Sequence, residues 1–131
     1  MRYVLDTCTF LWLALEKSKL SANAAAAIAD ANNILHLSVI SVTETHRLIR
    51  KGKISLQSPL PLDAWFRGEM LHHQVQCEPI TFEIAHTAET LPLIHNDPAD
   101  RFILATAKLL GAKILSPDAT MPKYPSFEVI W

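Results

Sequence analysis

The sequence predicts an α/β fold built on a mainly parallel central sheet. Short β-branched and aromatic apolar runs alternate with segments of helical periodicity along the chain. Gly and Pro punctuate the joins between them. Half of the 131 residues are hydrophobic and only 19% are charged, a composition that supports a packed core rather than a disordered tail. Strands covered by helices on both faces read as continuous apolar runs, and these runs have that character. At this length one domain over residues 1–131 is the simplest organisation, burying roughly two thirds of the surface that the unfolded chain exposes.

The elements follow in order. "RYVLD" is a first buried strand ending at a carboxylate, and "TFLWLALE" follows it as a helix. "SANAAAAIADAN" begins with Ser21 as a cap and is rich in alanine, the best helix former. "ILHLSVI" is a second strand, after which Val42, Thr45, Leu48 and Ile49 fall at helical spacing up to a stop at Gly52. "PLDAWFRGEMLHHQ" reads as a helix, "CEPI" as a short strand, and "TFEIAHTAETL" as a helix capped by Thr81 and ended by Pro92. "ADRFILATAKLLG" is helical and closed by Gly111, and "AKILS" and "FEVIW" are short strands. A β-α alternation of this kind makes right-handed crossovers and places a binding site beyond the carboxyl ends of the strands.

Several function classes lose support on composition. No apolar run reaches the roughly 20 residues of a membrane span, and "MRYVLDTC" lacks the pattern of a secretory leader. Two distant cysteines, Cys8 and Cys77, suit a reducing cytoplasm. A net charge of −1 gives no global field for nucleic acid, so any such contact must be local. With three glycines the chain has no phosphate-cradling loop. His72, His73 and Cys77 lack a fourth zinc ligand, and "EIAH" is a single copy of a motif that di-iron bundles need twice.

Four of the thirteen acids fall where strands end. Asp6 closes the first strand, Glu44 lies early in the helix after the second, Asp100 opens the helix after "HNDP", and Asp118 follows "AKILS". Singly, each is open to a second reading as a turn or helix cap. As a set they converge on one rim, and like charges about 4 Å apart repel by roughly 4 kcal/mol at an effective dielectric of 20. A hard divalent ion, Mg²⁺ or Mn²⁺, offsets that cost. Carboxylates and a metal without a dedicated nucleophile match phosphodiester hydrolysis. Arg47, Arg50, Lys51 and Lys53, on or just past the Glu44 helix, either guide RNA or complement the helix dipole. Trp12, Trp65 and Phe66 read as core or interface anchors.

The stretches "YVLDTCTFLWL", "SVISVTETHRLIRKGKISL", "HNDPADRFILATAKLLGAKILSPD" and "FEVIW" resemble the PIN-domain ribonucleases, specifically the VapC-type toxins of bacterial toxin–antitoxin pairs. The resemblance implies an α/β/α sandwich, Mg²⁺-dependent endonucleolytic cleavage of RNA, a cognate antitoxin, a homodimer and no membrane association. It places the catalytic quartet on Asp6, Glu44, Asp100 and Asp118, with Asp6, Asp100 and Asp118 at the metal. It makes Asp97 a supporting acid, Ser116 a hydroxyl that orients Asp118, and Arg101 a partner for an acid or a phosphate. Cys8 departs from the family's usual Asn, Ser or His, and Thr9 is the candidate to supply the missing hydroxyl. A binding module with the same fold and little catalysis is the competing class.

Overall fold

The computed structural model describes residues 1–131. A five-stranded sheet in the order β3-β2-β1-β4-β5 is parallel throughout. The strands are β1 (Arg2–Leu5), β2 (Ile34–Ser38), β3 (Val75–Glu78), β4 (Lys113–Leu115) and β5 (Val129–Ile130). Between them run α1 (Thr7–Leu15), α2 (Ala22–Ala29), α3 (Ile40–Arg50), α4 (Leu62–His72), α5 (Phe82–Thr90) and α6 (Pro98–Leu110), with 3₁₀ turns at Lys17–Lys19 and Met121–Lys123.

Alternation along β1 sorts the core onto two faces. Tyr3 and Leu5 pack with Phe10, Leu13, Trp65 and Phe66, whereas Val4 packs with Ile103, Leu104 and Ile114. Trp65 and Phe66 are core, as the sequence suggests. Covering both faces with apolar side chains is what a parallel sheet requires.

The expected caps form. Ser21 accepts from the Ala24 N–H and Thr81 from the Ile84 N–H, so α2 and α5 start where the sequence places them. Gly111 ends α6 in the left-handed region at φ 60°. Other boundaries move. The strand read at "ILHLSVI" ends at Ser38, because Ile40 already opens α3. The strand expected at "CEPI" begins two residues earlier at Val75, because Gln74 at φ 56° turns the chain tightly out of α4. "FEVIW" contracts to Val129–Ile130, the part that pairs with β4.

The central position of β1 fixes the site. Leu5 is in register with Leu37 of β2 and with Leu115 of β4, so three strands end level on one edge. Whatever follows those strands shares one rim.

Candidate active site

Asp6, Glu44, Asp100 and Asp118 line one cavity of about 720 Å³ at that rim. Asp6 is the residue after β1 and the N-cap of α1. Glu44 lies in the second turn of α3, Asp100 in the first turn of α6, and Asp118 in the loop after β4.

Each carboxylate is held differently. The Asp6 Oδ1 accepts from the Thr9 N–H at 2.8 Å, and its Oδ2 accepts from the Ser116 hydroxyl. Burial nevertheless pushes Asp6 above the usual carboxylate range, against those bonds. The Glu44 Oε1 accepts from the Thr7 hydroxyl, which is 2.8 Å from the Ser41 hydroxyl. Burial raises Glu44 as well, with Asp97 and Asp6 adding repulsion. Asp100 is pushed up to about 7, first by burial and next by the charge of Asp97. Asp118 moves the other way. Burial works to raise it, but the bonds from His95 and from the Thr120 N–H, the latter at 2.6 Å, outweigh that and leave it low. No Lys or Arg forms an ion pair with any of the four, so no permanent cation sits directly against the cluster.

A histidine that the sequence reading left unassigned completes the cluster. His95 Nε2 lies 3.0 Å from Asp100 Oδ2 and 2.8 Å from Asp118 Oδ2. The ligand atoms of these three residues fall within 4.8 Å of one another. Its signal was a lone histidine in the loop directly before an acid-bearing helix. Thr7 and Ser41 were also missed, because small hydroxyls at helix starts look like ordinary caps.

Several expected supporting roles are corrected by geometry. Ser116 gives its proton to Asp6 and only accepts from the Asp118 N–H at 3.0 Å, so the acid whose carboxylate it orients is Asp6. Thr9 is fully buried and its hydroxyl donates to the Leu115 carbonyl at 2.9 Å, so it does not supply a hydroxyl to the metal shell. Arg101 pairs with no acid. It is buried, and its guanidinium donates to the carbonyls of Ala88, Leu91 and Pro92 at 2.6, 2.9 and 3.0 Å.

Asp97 caps α6, its Oδ1 accepting from the Ala99 N–H at 3.0 Å. It also lines a smaller cavity of about 160 Å³ with Glu44, Arg47, Lys51 and Lys53. Lys53 lines both cavities, and Arg50 is exposed in the last turn of α3. Cys8 is on the wall of the larger cavity, where burial pushes its thiol to about 11 and makes it a poor thiolate. Trp12 lines that cavity too, with the Lys19 ammonium 5.7 Å from its ring centre.

A parallel sheet covered on both faces, with an acidic pocket at its carboxyl edge, defines an α/β protein whose site lies at the strand ends. The PIN domain model matches residues 3–126, and the chain belongs to that family. It is 31% identical to Ribonuclease VapC22 of Mycobacterium tuberculosis over 98% of this chain and 97% of the relative. Its fold is similar to that in the VapBC2 complex of Rickettsia felis bound to promoter DNA, with a TM-score of 0.71 at 13% identity, covering 99% and 98% of the two chains. A toxin–antitoxin complex from Klebsiella pneumoniae gives 0.63 at 19% identity, covering 98% and 96%.

Proposed function

We propose that this chain, folding as one PIN domain over residues 1–131, is a divalent-metal-dependent endoribonuclease and the toxin of a toxin–antitoxin pair. The observation that carries this reading is the convergence of four carboxylates, from four separate connections, on one cavity. Kinship to a VapC ribonuclease supports the substrate class, and likeness of fold to toxins in antitoxin complexes supports a protein inhibitor. No helix is long and apolar enough to cross a membrane, which accords with work in the cytoplasm. A homodimer is part of the same proposal.

The residues fit a hard cation. The donor set is oxygen-rich, and three of its four acids are pushed toward protonation by burial and mutual repulsion, which a bound cation reverses. Asp6, Asp100 and Asp118 would hold Mg²⁺ or Mn²⁺. When bound, the ion supplies the positive potential that draws the phosphate backbone and acidifies water.

The chain's own groups do the rest. Asp6 is fixed in one rotamer by Thr9 and Ser116, so its carboxylate is presented without a search. Glu44 has one oxygen occupied by Thr7, which leaves Oε2 to take the proton of an attacking water. That water's oxygen bonds to phosphorus as the bond to the leaving oxygen breaks, and the leaving oxygen takes a proton from solvent, giving a phosphomonoester and a hydroxyl. Arg47, Lys51 and Lys53 line the adjacent small cavity, where they would take a neighbouring phosphate, with exposed Arg50 beside them.

Cleavage of structured RNA tests this, with Mg²⁺, with EDTA, and with Asp6→Asn or Asp100→Asn. Asparagine caps a helix as well as aspartate, so Asp6→Asn keeps the start of α1 while removing the charge and the acceptor that faces Ser116. Each substitution is expected to lower cleavage by more than about 100-fold, the upper end for outer-shell losses. Cleavage that survives EDTA or either substitution overturns the mechanism, and no cleavage of any RNA favours a binding module.

A further inference from the structure

We infer that His95 is a positioning residue whose single Nε2–H, in one fixed tautomer, donates to Asp118 and stands against Asp100, yoking the two, and that it is not itself a ligand of the cation. This rests on the metal-site reading above and adds to it. The two carboxylates come from different segments, the first turn of α6 and the loop after β4. Their only shared partner is the His95 Nε2, whose hydrogen bond goes to Asp118 Oδ2 at 2.8 Å while Asp100 Oδ2 lies 3.0 Å away as a close charge contact.

The tautomer follows from the other ring nitrogen. His95 Nδ1 faces the Asp97 backbone N–H at 3.3 Å. A backbone N–H only donates, so Nδ1 accepts, and the ring proton is on Nε2. A protonated Nε2 offers no lone pair to a cation. Ligation would require the proton on Nδ1, pointed at the Asp97 N–H. The three ligand atoms are close enough for one ion to take all of them, and the tautomer removes the histidine from that set.

The ring is also aimed from behind. The His95 N–H donates to the Tyr124 hydroxyl at 2.9 Å, and the His95 carbonyl accepts from Arg101 at 3.4 Å. Tyr124 and Arg101 are both buried, with 1% and 6% of their surface exposed, so this loop residue is anchored to the core on each side of its Cα. A donor held there lets two like charges wait side by side for the ion. Oriented histidines of this kind typically alter metal affinity or activity by about 10–100-fold.

The test uses the whole chain without RNA. Mn²⁺ affinity is measured by calorimetry for the wild type, His95→Ala and His95→Gln, because a glutamine amide reaches the place of Nε2 and donates two hydrogens. His95→Ala is expected to weaken binding about 10–100-fold, and His95→Gln to restore most of it. Pulsed EPR of bound Mn²⁺ is expected to show no directly coordinated ¹⁴N. The proposal is overturned by a coordinated nitrogen that vanishes in His95→Ala, by alanine binding as tightly as the wild type, or by glutamine failing as badly as alanine.

Should either variant not fold, long-range ¹⁵N NMR of the metal-free wild type at pH 8 decides. Nε2–H with a bare Nδ1 is expected, and the proton on Nδ1 overturns the yoke. Mn²⁺ bound in this way by a chain that cuts no RNA would sink the nuclease reading and leave the yoke standing. A wild type that binds no Mn²⁺ would overturn the metal-site reading and, with it, the positioning role that rests on it.

Discussion

Arg101 follows directly on Asp100, and in the linear chain its charge reads as a counterion for an anion. In the fold it is turned inward, where the carbonyls of Ala88, Leu91 and Pro92 meet its donors at the carboxyl end of α5. The last carbonyls of a helix lack intrahelical partners and form the negative pole of its dipole, so a cation there satisfies both needs. Arg101→Ala leaves the buried Ala88 and Leu91 carbonyls without a donor, while the Pro92 carbonyl keeps the Ile94 N–H and the Tyr124 hydroxyl. A net loss of about 2 kcal/mol or more follows from typical unsatisfied-group costs. Arg101→Lys is expected to recover little, because a single ammonium cannot span a planar fork of acceptors. Urea unfolding reads this, and an alanine variant with the wild-type midpoint would refute it.

α6 is the element on which capping and chemistry meet. Asp97 caps it, Pro98 fills the first helical position, and Asp100 stands in the first turn facing the cavity. The two aspartates therefore do different work three residues apart, one toward the backbone and one toward the rim. Asp97→Ala is expected to cost about 1 kcal/mol through the lost cap, and Asp97→Asn almost nothing. The asparagine should also lower the pKa of Asp100, since the Asp97 charge is the second cause of its elevation after burial. Carboxyl ¹³C titration follows that group, and a pKa unmoved by Asp97→Asn would show that Asp97 does not reach the site electrostatically.

At the scale of the whole molecule, a level sheet edge concentrates like charge, and stability must carry the consequence. Asp100 has its folded value raised from 3.8 to about 7, so its neutral form stabilises the metal-free protein fully below the lower value. That contribution is lost as pH rises through about 7. Asp6 and Glu44 act in the same direction, while Asp118, held low, contributes above its ordinary range and is lost on acidification. The melting temperature of metal-free protein is therefore expected to fall as pH rises from weakly acidic toward about 7. Saturating Mg²⁺ or Mn²⁺ should raise it more on the alkaline side of that window, because the ion selects ionised carboxylates. Differential scanning calorimetry across this range gives the result, and a metal-induced shift independent of pH would contradict a cluster with no permanent cation against it.

The alternation of strands and helices, the caps at Ser21 and Thr81, the stop at Gly111 and the four acids at strand ends were all legible in the sequence. Periodicity and capping are local properties of the backbone, and a parallel α/β order confines strand-end residues to one side. Tertiary structure alone decided which partner each polar group takes. Ser116 serves Asp6 across 110 positions because Leu5 and Leu115 are in register, and His95 spans 23 positions to reach Asp118. Hydrogen-bond partners are set by distance and direction in space, which residue spacing along the chain does not encode once the chain has crossed the sheet.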